Sequence, residues 1–171
     1  MEPEDFEKLY DVLCPRLLCC ARSQLDDATA DDVVAATFET LWKKGLAFPG
    51  DQREWRRIVS LAHQVLKGHI GNEYRSRQRR ASLWRRLASH HPGDEPCVEA
   101  ADLPGGDSVT RWLSRLGEND RHVIALFHAG YSVEEMAQIL RCSVAAATRR
   151  RDRARQRLRK IVSGREAGGS G

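Results

Sequence analysis

Arginines and amides at helical spacing are the most chemically pointed residues of the chain. At about 100° per residue, Ala145, Arg149, Asp152, Arg153, Gln156 and Lys160 share one face of segment 144–161. Val144, Ala147, Ala154, Leu158 and Ile161 share the other. Arginine forks onto guanine, glutamine onto adenine, and small side chains let a helix approach base edges. Arg150, Arg155, Arg157 and Arg159 flank that face, within reach of phosphates. Asp152 is expected to pair with Arg149 or Arg155, or to accept from cytosine. Arg151 falls on the apolar stripe, where its stem would snorkel. The chemistry implied is reading of duplex DNA; the alternative is a solvated basic helix at the end of a bundle.

A second constellation occupies residues 46–90. Phe48, Trp55, Tyr74 and Trp84 are interleaved with basic side chains. Single-stranded nucleic acid is held this way, because bases stack on aromatic rings while cations pair with phosphates. The alternative makes Trp55 a core residue and Arg75-Ser76-Arg77-Gln78-Arg79-Arg80 a solvated helix end.

Other reactive residues point nowhere specific. Cys14 and Cys19 are five apart on one helix, a poor spacing for one metal ion, and no second cysteine pair completes a zinc set. The thiols are expected to be structural and reduced, and no metal or cofactor is expected. His63 reads as a core-edge residue, and His90-His91 as exposed. No Ser/His/Asp, paired-carboxylate or phosphate-cradling glycine pattern stands in a plausible setting, so the chain is not expected to be an enzyme.

These residues must be carried by helices. Phe6, Tyr10, Leu13, Leu17 and Cys20 recur at steps of three or four, as do Val34, Phe38, Leu41 and Trp42, and then Trp55, Ile58, Val59, Ala62, Leu66 and Ile70. Thr29 with Asp32 suggests the start of the second helix. The third should run through the basic stretch toward Arg86. Gly45 and Phe48-Pro49-Gly50-Asp51 break the chain between them. Val109, Trp112, Leu113 and Leu116 mark a further short helix, and Val123, Ile124 and Phe127 another, ending at Gly130. Ser132 with Glu135 is a capping box opening a helix that buries Met136, Ile139 and Leu140. Arg141-Cys142-Ser143 is a tight turn into segment 144–161. A short capped helix, a tight turn and a longer helix form a helix-turn-helix, whose second helix enters the major groove.

Charge divides along the same lines. The chain of 171 residues nets only +4, but residues 1–52 net −6, 53–90 net +8, 91–107 net −5 and 108–171 net +7. Such segregation suggests separate surfaces, two of them for polyanions. Residues 91–107 hold three prolines, three glycines and five uncompensated acids, the composition of a solvated linker. The expected architecture is all-α: a helical domain over 1–90, a flexible acidic linker over 91–107, a helix-turn-helix domain over 108–163 and a disordered tail over 164–171. No apolar run is long enough for membrane insertion, and Met1-Glu2-Pro3-Glu4-Asp5 has no secretory character, so a cytoplasmic location is expected.

Several of these segments together resemble a known family. Asp32-Val33-Val34-Ala35-Ala36-Thr37-Phe38-Glu39-Thr40-Leu41-Trp42 resembles the region 2 helix of bacterial extracytoplasmic-function (ECF) sigma factors, which docks on the RNA polymerase clamp. Phe48-Pro49-Gly50-Asp51 resembles the loop after it, and Ile58 to Ile70 the helix facing the minus-10 element. Leu116 to Ile124, Tyr131 to Ala137 and Arg153 to Leu158 resemble region 4. The resemblance implies a subunit that directs core polymerase, through its clamp and flap, to promoters. It implies that Asp32, Val33, Phe38, Glu39 and Trp42 contact the polymerase or support that surface. Phe48, Trp55, Gln64, Lys67, Arg75 and Arg77 would serve the melted minus-10 strand and adjoining duplex, and Thr148, Arg149, Asp152, Arg153 and Arg157 the minus-35 duplex. An anti-sigma protein, if there is one, would cover the same faces. Ala35-Ala36 stand where the family commonly has Gln-Glu, Ser60 where it has Arg, and Ala145-Ala146-Ala147 where it has Gly-Thr-Val. The competing reading is a helix-turn-helix regulator whose N-terminal half senses a ligand or partner.

Overall fold

The computed structural model describes residues 2–88 and 112–166. Helix α1 (Pro3–Arg22) opens with proline in its first turn, where the missing N–H costs nothing. It buries Leu9, Leu13, Leu17 and Cys20. Tyr10, expected on that stripe, lies at its edge and is largely exposed, because the buried face is centred on Leu13 and Leu17.

Helix α2 (Asp27–Lys43) begins earlier than Thr29 and Asp32 suggested. The cap is Asp26, whose carboxylate accepts from the Thr29 backbone N–H at 3.0 Å and from the Thr29 hydroxyl at 2.7 Å. Gly45, with φ of 64°, ends it in the left-handed conformation that glycine adopts without penalty. Helix α3 (Gln52–Ala88) is started by Asp51, whose carboxylate accepts from the N–H groups of Arg53 and Glu54, both at 2.7 Å. Val59, Ala62, Leu66 and Ile70 form its buried stripe against α1 and α2.

Residues 112–114 make a helical turn, followed by α4 (Glu118–His128), α5 (Val133–Ile139) and α6 (Val144–Glu166). The expected capping box forms: Glu135 N–H donates to Ser132 Oγ at 3.2 Å, and Ser132 N–H to Glu135 Oε2 at 2.7 Å. The turn from α5 to α6 places Arg141 at φ of 51°, a left-handed conformation held by a residue other than glycine. Among the described residues there is no strand, and the fold is all-α.

The two halves share one apolar core. Helix α4 packs on α1, and α5 packs on α3. Charge segregation and linker composition separate the halves and carry no sign of this contact. The linker over 91–107 and His90-His91 lie outside the described residues. So does most of the tail, although α6 continues to Glu166, three residues beyond the expected boundary.

Candidate nucleic-acid interface

Helix α6 holds its apolar side against α4 and α5 through Ala147 and Ala154, both fully buried. Arg149, Asp152, Arg153, Gln156 and Lys160 stand on the opposite, exposed side, as the wheel arithmetic required. Arg149 and Arg153 have no ion pair among the described residues. Thr148 is half-buried and its hydroxyl donates back to the Val144 carbonyl at 3.0 Å. Asp152 pairs with neither Arg149 nor Arg155. It pairs with adjacent Arg151 at 3.0 Å. Arg155 is drawn over the Phe127 ring instead, 5.0 Å from its centroid. Arg157 turns back to α4 and pairs with Asp120. The free cations of the helix are therefore concentrated on the face that a duplex would meet.

The N-terminal candidates are less uniformly free. Phe48 is exposed, with the Lys8 ammonium 5.9 Å from its ring centroid. Gln64, Lys67 and Arg75 are exposed on α3. Arg77 is engaged at home: it donates to Asp26 at 2.7 Å and to Glu73 at 3.0 Å. That guanidinium, with the Thr29 donors, holds the Asp26 carboxyl far below the usual carboxylate range. Arg77 thus tethers the basic end of α3 to the cap of α2. Trp55 is half-buried and its indole N–H donates to Glu135 Oε1 at 2.7 Å, across the junction between the halves.

The candidate polymerase face runs along α2. Asp32 and Glu39 are exposed, and Glu39 pairs with Lys43 one turn on. Trp42 is 42% exposed and meets Phe6 edge-on, with ring centroids 5.1 Å apart. Val33 and Phe38 are buried in the protein's own core, so they support that face from beneath.

The residues that sequence reasoning missed lie between the halves. Arg16 donates to both carboxylate oxygens of Glu135, at 2.8 and 3.3 Å, and to the Ala129 and Gly130 carbonyls at the end of α4. Its guanidinium carbon lies 3.7 Å from the Tyr131 ring centroid. Burial alone would raise the Glu135 pKa, but hydrogen bonds from Arg16, Ser132 and Trp55 outweigh it and hold the carboxyl ionised. One carboxylate therefore caps α5, pairs with α1 and accepts from α3. The capping half of that role was visible in the Ser132–Glu135 spacing. The Arg16 half joins residues 119 apart in sequence and had no local signal.

The match that decides the family covers α3 to α6, including Trp55 and Glu135 though not Arg16: residues 50–164 match the model of the ECF sigma factor family. The chain belongs to that family. It is a sigma factor, a subunit that gives RNA polymerase its promoter specificity. Two solved structures share the fold of this sigma factor over nearly its full length, α1 and α2 included. CnrH, in complex with the cytosolic domain of CnrY, superposes with a TM-score of 0.63 at 24% identity, over 95% of this chain and 90% of that one. RpoE of Bartonella quintana, in complex with the anti-sigma factor NepR, gives 0.53 at 22% identity, over 92% and 95%. No curated protein matches the sigma factor's sequence significantly. Among its described residues no helix is long and apolar enough to cross a membrane, and no three His, Cys, Asp or Glu side chains are grouped to hold a metal ion.

Proposed function

We propose that this sigma factor divides promoter recognition between its halves and works by binding alone, without covalent catalysis, in the cytoplasm. Helix α6 reads the minus-35 duplex: Arg149 and Arg153 contact base edges, and Thr148, Asp152 and Arg157 position the helix. The observation that carries this reading is the segregation of unpaired Arg149 and Arg153 on the exposed side of a helix anchored by Ala147 and Ala154. Phe48, Trp55, Gln64, Lys67, Arg75 and Arg77 line the route of the melted minus-10 strand, where captured bases make opening favourable. Asp32, Glu39 and Trp42, supported by Val33 and Phe38, form the face presented to the polymerase clamp, and the C-terminal half meets the flap. The two halves act as separate modules, 1–90 and 108–163, once the junction between them opens.

CnrH was solved with the cytosolic domain of CnrY, and RpoE with the anti-sigma factor NepR. By analogy, an anti-sigma protein holds this chain inactive by covering the same faces. Transcription in vitro with core polymerase tests the reading. Added protein should give promoter-dependent transcripts and co-purify with core. Retained core binding with lost promoter choice is expected for Arg149→Ala/Arg153→Ala. A protein that shifts DNA without core, as a dimer, would instead be an ordinary helix-turn-helix regulator.

A further inference from the structure

The junction holds a second set of polar groups, centred on His63 and His122. His63 of α3 is buried, and its ring faces Tyr131 and His122 with centroids 4.9 and 6.4 Å away. Neither His63 Nε2 nor the Tyr131 hydroxyl has a hydrogen-bond partner among the described residues. Beside them lies a cavity of about 60 Å³ between α1, α3 and α4, lined in part by Cys20, His63, Lys67, Glu118 and His122. A buried polar nitrogen without a partner is costly, and a cation there would be costlier.

We infer that this junction is a proton-operated latch: the halves stay closed while His63 and His122 are neutral, and separate when those rings take up protons. Its consequence rests on the promoter-binding reading, because separation frees Trp55 from Glu135. The latch itself does not depend on that reading.

The surroundings fix the sign. Around the two rings, α1 contributes Arg16 and Cys20, α3 contributes Lys67, α4 contributes Glu118, the turn between α4 and α5 contributes Tyr131, and α5 contributes Glu135. Burial first, then His122 and Arg16, push the His63 pKa down to about 3. Burial and Lys67 lower that of His122, and Glu118 only partly offsets them. A histidine depressed in the closed state contributes its full stability above its ordinary pKa, about 6.5, and loses it as pH falls below that value. Between pH 7.5 and 5.5, His63 alone shifts the open-to-closed ratio about tenfold toward open. Glu135 cannot mimic this effect, because its carboxyl is held below its ordinary value and titrates in a lower range.

Small-angle scattering of the full chain from pH 7.5 to 5.5, with far-ultraviolet circular dichroism alongside, tests the latch. The expected result is an increase in radius of gyration with helix content retained. His63→Gln/His122→Gln should stay closed throughout. Unchanged wild-type scattering over that range overturns the proposal, as does expansion of the double variant at the wild-type midpoint. Should the double variant not fold, the histidine ring resonances of the wild type decide. Titration of both rings together with the expansion supports the latch, and expansion without ring titration overturns it. A chain that opens with acid yet gives no promoter-dependent transcript would keep the latch and lose the promoter reading.

Discussion

The two candidate DNA faces differ in what their cations are doing. On α6, Arg149 and Arg153 project from a helix fixed by Ala147 and Ala154 and have no ion pair among the described residues. On α3, Arg77 is committed to Asp26 and Glu73, and Trp55 to Glu135. The C-terminal face is presented, whereas the N-terminal one is partly occupied by the protein itself. On the proposed promoter reading, Trp55 and Arg77 would meet a melted strand only after these contacts break, whereas Phe48, Lys67 and Arg75 are already exposed.

The comparison breaks most easily at Arg16. Removing it leaves the nearly buried Glu135 without its main cation and the Ala129 and Gly130 carbonyls, just after α4, without this donor. Arg16→Ala should lower unfolding stability by about 2–4 kcal/mol or hold the halves apart. Chemical denaturation and scattering distinguish those outcomes. Trp55 should then become accessible to quenchers, with no loss of duplex affinity at α6. If Arg16→Ala leaves both stability and the halves' contact unchanged, the occupied face is not held by this network.

Next in size are the reading residues. Arg149→Ala and Arg153→Ala should each weaken binding of a cognate duplex by about 1–3 kcal/mol while leaving stability alone. The dependence of affinity on salt should stay steep, because the phosphate-facing arginines remain. Arg77→Ala should do the opposite, destabilising the fold by about 1 kcal/mol through loss of a half-exposed ion pair that supports the α2 cap. A large effect on DNA with unchanged stability would move Arg77 from the occupied class to the presented one.

What could be read without coordinates divides along the same line. Helices α1 to α6, the capping box at Ser132 and the face segregation of α6 follow from spacings of three and four residues, which local geometry imposes. The resemblance of Asp32–Trp42 and Tyr131–Ala137 to known segments then placed them in a family. The partners of single side chains were not legible. Asp26 rather than Thr29 caps α2, and its second carboxylate oxygen is taken by Arg77, 51 residues away. Asp152 takes Arg151 because Arg155 is drawn to Phe127. Charge segregation suggested separate surfaces and gave no sign that the surfaces are folded against each other. That contact rests on individual pairs such as Arg16–Glu135, far apart in sequence, and a net charge averages them away.

The smallest expected effect concerns how firmly α6 is presented. Helices α2, α4 and α5 are each followed by a residue in the left-handed conformation: Gly45, Gly130 and Arg141, with φ of 64°, 77° and 51°. The first two are glycines, for which this geometry is free of Cβ strain. Arg141 carries that strain in the turn that aims α6. Glycine at 141 relieves it but adds freedom to the unfolded chain, so the two terms oppose. The net gain for Arg141→Gly should be about 0.5–1 kcal/mol, read as a higher melting temperature with duplex affinity retained. Should affinity fall while stability rises, the strained turn is part of how α6 is aimed. The presented face would then depend on tertiary strain, as the occupied one depends on tertiary ion pairs.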